Sequence, residues 1–354
     1  MRVHLLSADL PELACRLALA DQRPRPGEQA PPVALDLSGE QLLMACHPAP
    51  ADVRCFEAVP VALGLWEQLE PRLESWLGLL QLAEREALLI PPLPGVEVLL
   101  QCVFLAEQLD GLATTSQRVT VLLPPPGPAM ALLELARTGP DLVEGLLEPL
   151  LNWWDQTRLS LGGLERLVGL DLPKTTSLRL EARWKDRLER MAALLSEPES
   201  HQLTLSLESG DPEGRLVRHR VSRLALRGTH PTRILLHGSE AQQVRDALDA
   251  LLEDPSIPAA VITSQATQED LAELMNLGGE TPPDFVVNQD AGTLSLRLLG
   301  VRRGELQVRQ VKGVVVLLYG GQRRLLDLPA TLATRHCVGA KLEGGRLELR
   351  FKEP

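Results

Sequence analysis

Residues 294–351, LSLRLLGVRRGELQVRQVKGVVVLLYGGQRRLLDLPATLATRHCVGAKLEGGRLELRF, carry a change of period that decides how the whole chain is read. Leu294, Leu296 and Leu298 alternate with Ser295 and Arg297; Leu306 and Val308 alternate with Glu305, Gln307 and Arg309; Leu347, Leu349 and Phe351 alternate with Arg346, Glu348 and Arg350. Successive side chains of a strand point to opposite faces, so this alternation belongs to half-buried strands. Val314–Leu318 is an unbroken apolar run ending at Gly320 and Gly321. Gly344 and Gly345 join two alternating runs as a hairpin turn does. Short strands this densely spaced predict a small all-β sandwich over residues 293–354.

Upstream the period changes. Arg2–Leu6 is a short apolar run suited to a buried strand, and Leu10–Ala20 has helical composition, the way an α/β domain begins. A second strand is predicted at Val33–Leu37, with Ser38 after it as a helix N-cap. From Val61 to Glu86 the residues Leu65, Trp66, Leu69, Leu73, Trp76, Leu77 and Leu80 recur three or four apart. That is the stripe of an amphipathic helix, broken or kinked at Pro71. Pro94 and Gly95 open a helix with little polar face, and Arg118–Leu123 is a strand stopped by Pro124, Pro125 and Pro126. A densely apolar helical tract, Asp141–Leu151, runs into Trp153 and Trp154, which cannot both face one side. Leu178–Leu195 has the pattern of an ordinary surface helix, with Trp184, Leu188 and Met191 opposed by Arg183, Lys185, Arg187 and Arg190.

Further strands are predicted at Leu203–Leu207, Ile234–Leu236 and Val261–Thr263. Capping boxes at Ser239 with Gln242, and at Thr267 with Asp270, mark helix starts between and after them. Strands alternating with helices over residues 1–278 predict a mostly parallel sheet with helices on both faces. Gly278, Gly279 and Pro282-Pro283 set the boundary, and residues 279–292 are read as a linker to the sandwich.

Composition limits the function. Hydrophobic residues are 44% of the 354 and aromatics 3%, so the core is built from Leu, Val and Ala. A net charge of -11 disfavours nucleic acid and anionic lipid. The stretches Arg179–Arg190 and Arg215–Arg227 interleave Arg with acidic or apolar residues and read as solvated helix faces. The 5 cysteines are odd in number and irregularly spaced, which fits reduced thiols in a cytoplasmic protein. No apolar run approaches the roughly 20 residues of a membrane span. The first strand reaches Asp9 too soon for a signal-peptide core.

Candidate metal and catalytic groups are sparse. Cys46, His47 and Cys55 lack the close Cys pairs of zinc sites. His201, His219, His230, His237 and His336 are scattered, with no nucleophile elbow beside them. Asp36 after the second strand reads as a capping or turn residue. The expectation is therefore no catalytic residue, no metal and no cofactor.

Several spaced matches near the end of the chain carry a resemblance. They are Leu298-Leu299-Gly300-Val301, Glu305-Leu306, Arg323-Arg324 followed by Leu328-Pro329, and Gly339-Ala340-Lys341-Leu342 leading to Gly345 and Phe351. This segment resembles the α-crystallin-like domain appended to one branch of the ArsA and tail-anchored-protein-targeting ATPase family. The larger domain is similar to the family at Leu93-Pro94-Gly95-Val96, its helix-opening PG motif. It is similar again at Pro125-Pro126-Gly127 followed by Leu132 and Leu133, the place of the DTAPTGH-like switch segment.

The departures from the family matter more. Its first strand ends in a GKGGVGKT-like loop whose backbone N–H groups cradle phosphates. Here Ser7-Ala8-Asp9-Leu10-Pro11-Glu12-Leu13 stands there, with no Gly, no Lys and acids at 9 and 12. Leu122, Leu123 and Pro124 stand where the switch acid would hold a magnesium-bound water. The CxxC pair that bridges the targeting branch's dimer through zinc is missing as well.

The resemblance thus implies a degenerate P-loop NTPase-like domain and a non-catalytic pseudo-ATPase, chaperone-like or scaffolding. Its partner would be a hydrophobic protein segment or a partner protein, with a homodimer also expected. The alternatives are a regulatory subunit that forms a heterodimer with an intact ATPase paralogue, and a residual nucleotide-binding ATPase. In the targeting relatives, helices before and after the switch segment form the client groove. By position the corresponding surface is Leu69, Leu73 and Trp76 on one helix and Leu146, Leu150, Trp153 and Trp154 on the other.

Overall fold

A computed structural model describes residues 1–23, 32–46, 52–79, 96–114, 118–168, 175, 182–254, 256–278 and 283–353. The first part of the chain forms a sheet of β1 (Arg2–Ala8), β2 (Val33–Asp36), β3 (Val53–Cys55), β4 (Arg118–Leu122), β5 (His201–Glu208), β6 (Arg233–His237) and β7 (Ala259–Val261). Its 7 strands run in the order β3-β2-β4-β1-β5-β6-β7, and every pairing is parallel. A parallel sheet must be covered on both faces. One face carries Val3, Leu5, Val119, Val121, Leu203, Leu205 and Leu207. They pack against α4 (Val96–Leu112), α5 (Pro126–Leu142), α7 (Ala182–Ser196), α8 (Arg215–Leu226) and α9 (Ala241–Leu252). The other face, with Leu6, Ala8, Ala34, Leu122 and Leu235, lies under α1 (Pro11–Asp21), α2 (Leu42–Ala45) and α10 (Gln268–Asn276).

Polar groups at the amino ends of the strands fix α1. The Asp21 carboxylate accepts from His4 Nδ1 at 2.9 Å, Arg118 Nη1 at 3.2 Å and Thr120 Oγ1 at 2.7 Å. Burial alone would raise this carboxyl. The hydrogen bonds and charges of His4, Thr120 and Arg118 outweigh it and hold Asp21 down at about 2.

The predicted elements recur with local differences. α3 (Ala58–Leu79) passes through Pro71 without ending, and residues 80–95, including Pro94 and Gly95, lie outside the described residues. The Thr267–Asp270 capping box is present at α10. The one at Ser239 is not: Gly238, at φ 103, turns the chain off β6, Glu240 becomes the N-cap, and Gln242 donates to Asp246 instead. The surface helix α7 has its expected two faces: Trp184, Met191 and Leu195 are buried, and the Arg187 guanidinium lies over the Trp184 ring, 5.0 Å from its centre.

The end of the chain is all antiparallel β. β8 (Phe285–Asn288), β9 (Thr293–Arg297), β13 (His336–Glu343) and β14 (Arg346–Lys352) make one sheet of 4 strands, order β13-β14-β9-β8. β10 (Gln307–Val311), β11 (Val314–Tyr319) and β12 (Gln322–Asp327) make a second sheet of 3. Leu294, Leu296, Val315, Leu317, Leu347, Leu349 and Phe351 fill the space between, with Leu332 of the short helix α11 (Ala330–Ala333). The alternating residues of the sequence thus face this core. One correction concerns the stretch read as a linker: Phe285–Asn288 pairs with β9 and is an edge strand. Its sequence, FVVN, lacks a polar alternation, and Pro283 precedes it as in a loop.

The two parts exchange leucines. Leu299 of the β-domain is fully buried in the α/β core, and Leu226, the last residue of α8, is fully buried in the β core. Asp284, just before β8, accepts from His230 Nε2 at 2.8 Å and Arg324 Nη1 at 3.1 Å, with Arg137 Nη2 3.9 Å away. Gly228, at φ +75, lets the chain pass this cluster. A Cβ there would lie 2.6 Å from Asp284 Oδ2 and 2.7 Å from Arg324 Nη2. Arg297 closes the other side of the junction on Asp254 Oδ2 and Ser256 Oγ, both at 3.0 Å.

Candidate functional site

In open parallel α/β sheets, ligands bind beyond the carboxyl ends of the strands, where successive connections leave in opposite directions. Here that place is beside β1: the chain leaves β1 toward β2 but leaves β4 toward β5, on opposite sides of β1. Only Asp9 and Leu10 stand between β1 and α1. Leu10 is the N-cap and makes no side-chain cap, and Pro11 opens the helix without an N–H. The Asp9 carboxylate is turned inward. It accepts from the Glu208 backbone N–H at 2.8 Å and forms an ion pair with Arg220 of α8. Ser7 Oγ donates to Pro124 O at 2.9 Å.

This end of the sheet therefore presents a carboxylate where an anion-binding loop would present N–H groups. A phosphate cradle needs successive backbone N–H groups converging on one point. A connection of Asp9 and Leu10 into Pro11 does not supply them. Beside the pair, Ser206 Oγ, Ser209 Oγ and His237 Nε2 are buried with no hydrogen-bond partner among the described residues. Burial lowers the His237 pKa, against the charges of Asp9 and Glu208, which raise it, and with that of Arg220. These neutral groups suit a water or a small polar ligand better than an anion.

Asp36, at the end of β2, is 1% exposed. Its Oδ1 accepts from Ser38 N at 2.9 Å and Ser38 Oγ at 2.6 Å, and Oδ2 from Leu43 N at 2.8 Å. The carboxylate is used up in the turn into α2. Of the remaining candidates, Cys46 and Cys55 are half-buried free thiols, and His47 lies outside the described residues. Among the described residues no group of three or more His, Cys, Asp or Glu could hold a metal ion.

The expected apolar surface lies on one long helical segment, in which α5 continues through a π-turn (Val143–Leu147) into α6 (Glu148–Val168). The π-turn has a cause in the sequence. Pro149 has no N–H to offer Gly145 O, and its ring crowds that carbonyl. The ladder widens instead, with Glu148 N–H reaching Val143 O. Between Leu142 and Leu150 a regular helix would rotate by about 80° beyond whole turns, and one extra residue in a turn takes back roughly that angle. Leu142, Leu150 and Trp153 accordingly share one side, 48%, 55% and 59% exposed. Trp154, one residue and about 100° further round the helix, is half-buried. The side chains of Leu69, Leu73, Trp76 and Leu146 lie outside the described residues.

Other cavities lie away from this stripe. A cleft of about 570 Å³ between the two parts is lined by Glu134, Arg227, Glu305, Tyr319, Gln322 and Arg323. One of about 330 Å³ is lined by Met1, Leu109, Arg187, Met191 and Leu194, among others. The arginines read as solvated faces are engaged across elements: Arg220 with Asp9, Arg227 with Glu134, Arg187 and Arg190 with Asp110. The sequence reading missed Arg220 and Asp284. The only local signal was an Arg at one helix position among several, because the partner acids lie far away in the chain.

No helix among the described residues is long and apolar enough to cross a membrane. No curated protein matches the chain significantly. A family model does match its end, over residues 289–351, which spans β9 to β14 of the described strands. In that segment the protein is similar to the HSP20-like domain found in ArsA.

Proposed function

We propose that this protein is a non-hydrolysing relative of the ArsA-type ATPases, cytoplasmic, which holds a hydrophobic segment of a partner protein. The observation that carries the first half is the connection from β1 to α1. Asp9 and Leu10 lead straight into Pro11, and the Asp9 carboxylate occupies Arg220. Phosphoryl transfer is positioning plus neutralisation of charge. A degenerate loop with a carboxylate in it does neither, and Leu122, Leu123 and Pro124 supply no acid for a magnesium-bound water.

The second half is supported by the stripe of Leu142, Leu150 and Trp153. Apolar side chains half exposed on one side of a helix, next to a π-turn, are the features of a recognition surface. A partner bound there is exchanged by affinity alone, since a ligand shifts a conformational equilibrium only by its differential affinity. The HSP20-like end of the chain is consistent with a chaperone-like role.

The test is calorimetric titration with ATP and ADP in the presence of magnesium, beside titration with an apolar helical peptide monitored by tryptophan fluorescence. No heat at high micromolar nucleotide, with saturable peptide binding, is the expected result. Magnesium-dependent nucleotide binding would overturn the first half of the reading, and absence of any peptide response the second.

A further inference from the structure

Cys15, on the middle of α1, and Cys46, the residue that ends α2, donate to the same acceptor. Cys15 Sγ lies 3.3 Å and Cys46 Sγ 3.2 Å from Leu42 O. The two thiols meet over one carbonyl oxygen, close enough to hydrogen-bond each other. Both are half-buried, and both are free thiols. α1 and α2 pack against each other on the same face of the sheet, so the pair is held by the core and not by chance. Cys55 shares the neighbourhood of Asp36 but not the Leu42 carbonyl. Cys102 is a buried residue of α4 itself and Cys337 lies in the β-domain.

We infer that Cys15 and Cys46 form a reversible dithiol–disulfide pair, a modification site that exchanges with low-molecular-weight disulfides of the glutathione class. Burial, then the hydrogen bond and charge of Cys46, push the Cys15 thiol up to about 12, and Cys15 sits in mid-helix whereas Cys46 stands at the end of α2. Cys46 attacks first. Its sulfur, having lost its proton, bonds to one sulfur of the small disulfide, whose S–S bond breaks and whose other half leaves as a thiol. Cys15 Sγ then gives up its proton and attacks Cys46 Sγ, releasing the second small thiol. The protein loses two electrons and two protons, and the small disulfide gains them as two thiols.

Oxidation would close residues 15–46 into a loop and fasten α1 to the segment after Asp36. Cross-linking lowers the entropy of the unfolded chain, and for a loop of this size a melting temperature raised on the order of 5 °C is expected.

The test uses the full chain, equilibrated with oxidised glutathione near pH 8, one portion kept for thiol titration and the other alkylated before digestion. Of the 5 thiols, a pair should disappear in titration with a chromogenic disulfide. Non-reducing digestion should yield the Cys15 and Cys46 peptides joined, with a mass about 2 Da below their sum. Cys15→Ser should trap a glutathione adduct on Cys46, while Cys46→Ser should leave Cys15 unmodified. The proposal is overturned if every thiol stays free, if the link joins Cys55, Cys102, Cys337 or a second chain, or if Cys46→Ser still acquires an adduct on Cys15.

Discussion

Asp284→Ala is the most informative perturbation of this molecule, because a single carboxylate holds three cationic or polar partners from three places. His230 Nε2 is at 2.8 Å, Arg324 Nη1 at 3.1 Å and Arg137 Nη2 at 3.9 Å. The side chains of Asp284, His230, Arg324 and Arg137 are 14%, 3%, 10% and 19% exposed. A surface pair would be worth a few tenths of a kcal/mol. Removing the acid from a buried cluster instead leaves two guanidiniums facing each other without a counter-charge, at a cost of about 4 kcal/mol. With a urea slope of about 3 kcal/mol/M, the midpoint should fall by roughly 1.3 M.

The assay has a second, independent readout. All 5 tryptophans, Trp66, Trp76, Trp153, Trp154 and Trp184, precede β8, so their fluorescence reports the α/β part alone. Far-UV circular dichroism reports both parts. In the parent protein the two curves should coincide, because Leu226, Leu299 and Asp284 tie the core of each part to the other. In Asp284→Ala they should separate. A loss below about 1 kcal/mol with curves still coincident would show that the cluster does not couple the two parts, and the reasoning would fail.

Leu299→Ala and Leu226→Ala should each cost about 2–5 kcal/mol in urea unfolding, since each leaves a cavity in the other part's core, whereas Leu325→Ala on an exposed strand face should cost under about 1. Stability should fall steadily on acidification. His201, His230 and His237 have pKa values lowered chiefly by burial, so their contribution is full above the unfolded value of about 6.5 and is lost below it. Asp284, held low by His230 and Arg324 against the cost of burial, and Asp21, at about 2, add a further loss below about pH 4. Unfolding free energies that are flat or rising between pH 7 and 5 would contradict this. Leu150→Ser combined with Trp153→Ser should leave the unfolding midpoint within about 0.5 kcal/mol of the parent while weakening apolar peptide binding at least tenfold. Equal binding by the double variant would remove the stripe from consideration.

How far the sequence could be read depended on whether the signal was local. Val3–Leu6, Arg118–Leu122 and the alternating runs from Leu294 carry their periods within a few residues, and the strands lie there. Thr267 with Asp270 is a contact across three positions, and it holds. What failed was set by distant partners. Asp9 and Arg220 are 211 positions apart, and nothing near either one marks the pair. Leu226 and Leu299 look like any other leucine, yet each crosses into the other part's core. Asp284 and Phe285–Asn288 were absorbed into a linker because Pro and Gly precede them, although β9 supplies the ladder that makes the latter a strand. The π-turn lies one turn before Pro149, but Pro71 and Pro140 sit within α3 and α5 without one, so the proline alone did not mark it.

α8 links the sheet's carboxyl end to the β-domain. Arg220 sits on it at the carboxyl end of the sheet and Leu226 ends it inside the β core, about 9 Å apart along the axis. Arg227 comes next, with Nη2 donating to Gln322 Oε1 of β12 at 2.7 Å. A ligand bound beside β1 would therefore have a short mechanical route to the β-domain. In this chain the counter-charge of Arg220 is Asp9, part of the same polypeptide, so it is supplied without any ligand. A switch needs a ligand that binds two arrangements with different affinity. With the acid built in, Arg220 is paired without a ligand, and α8 joins the carboxyl end of the sheet to the β core in that arrangement.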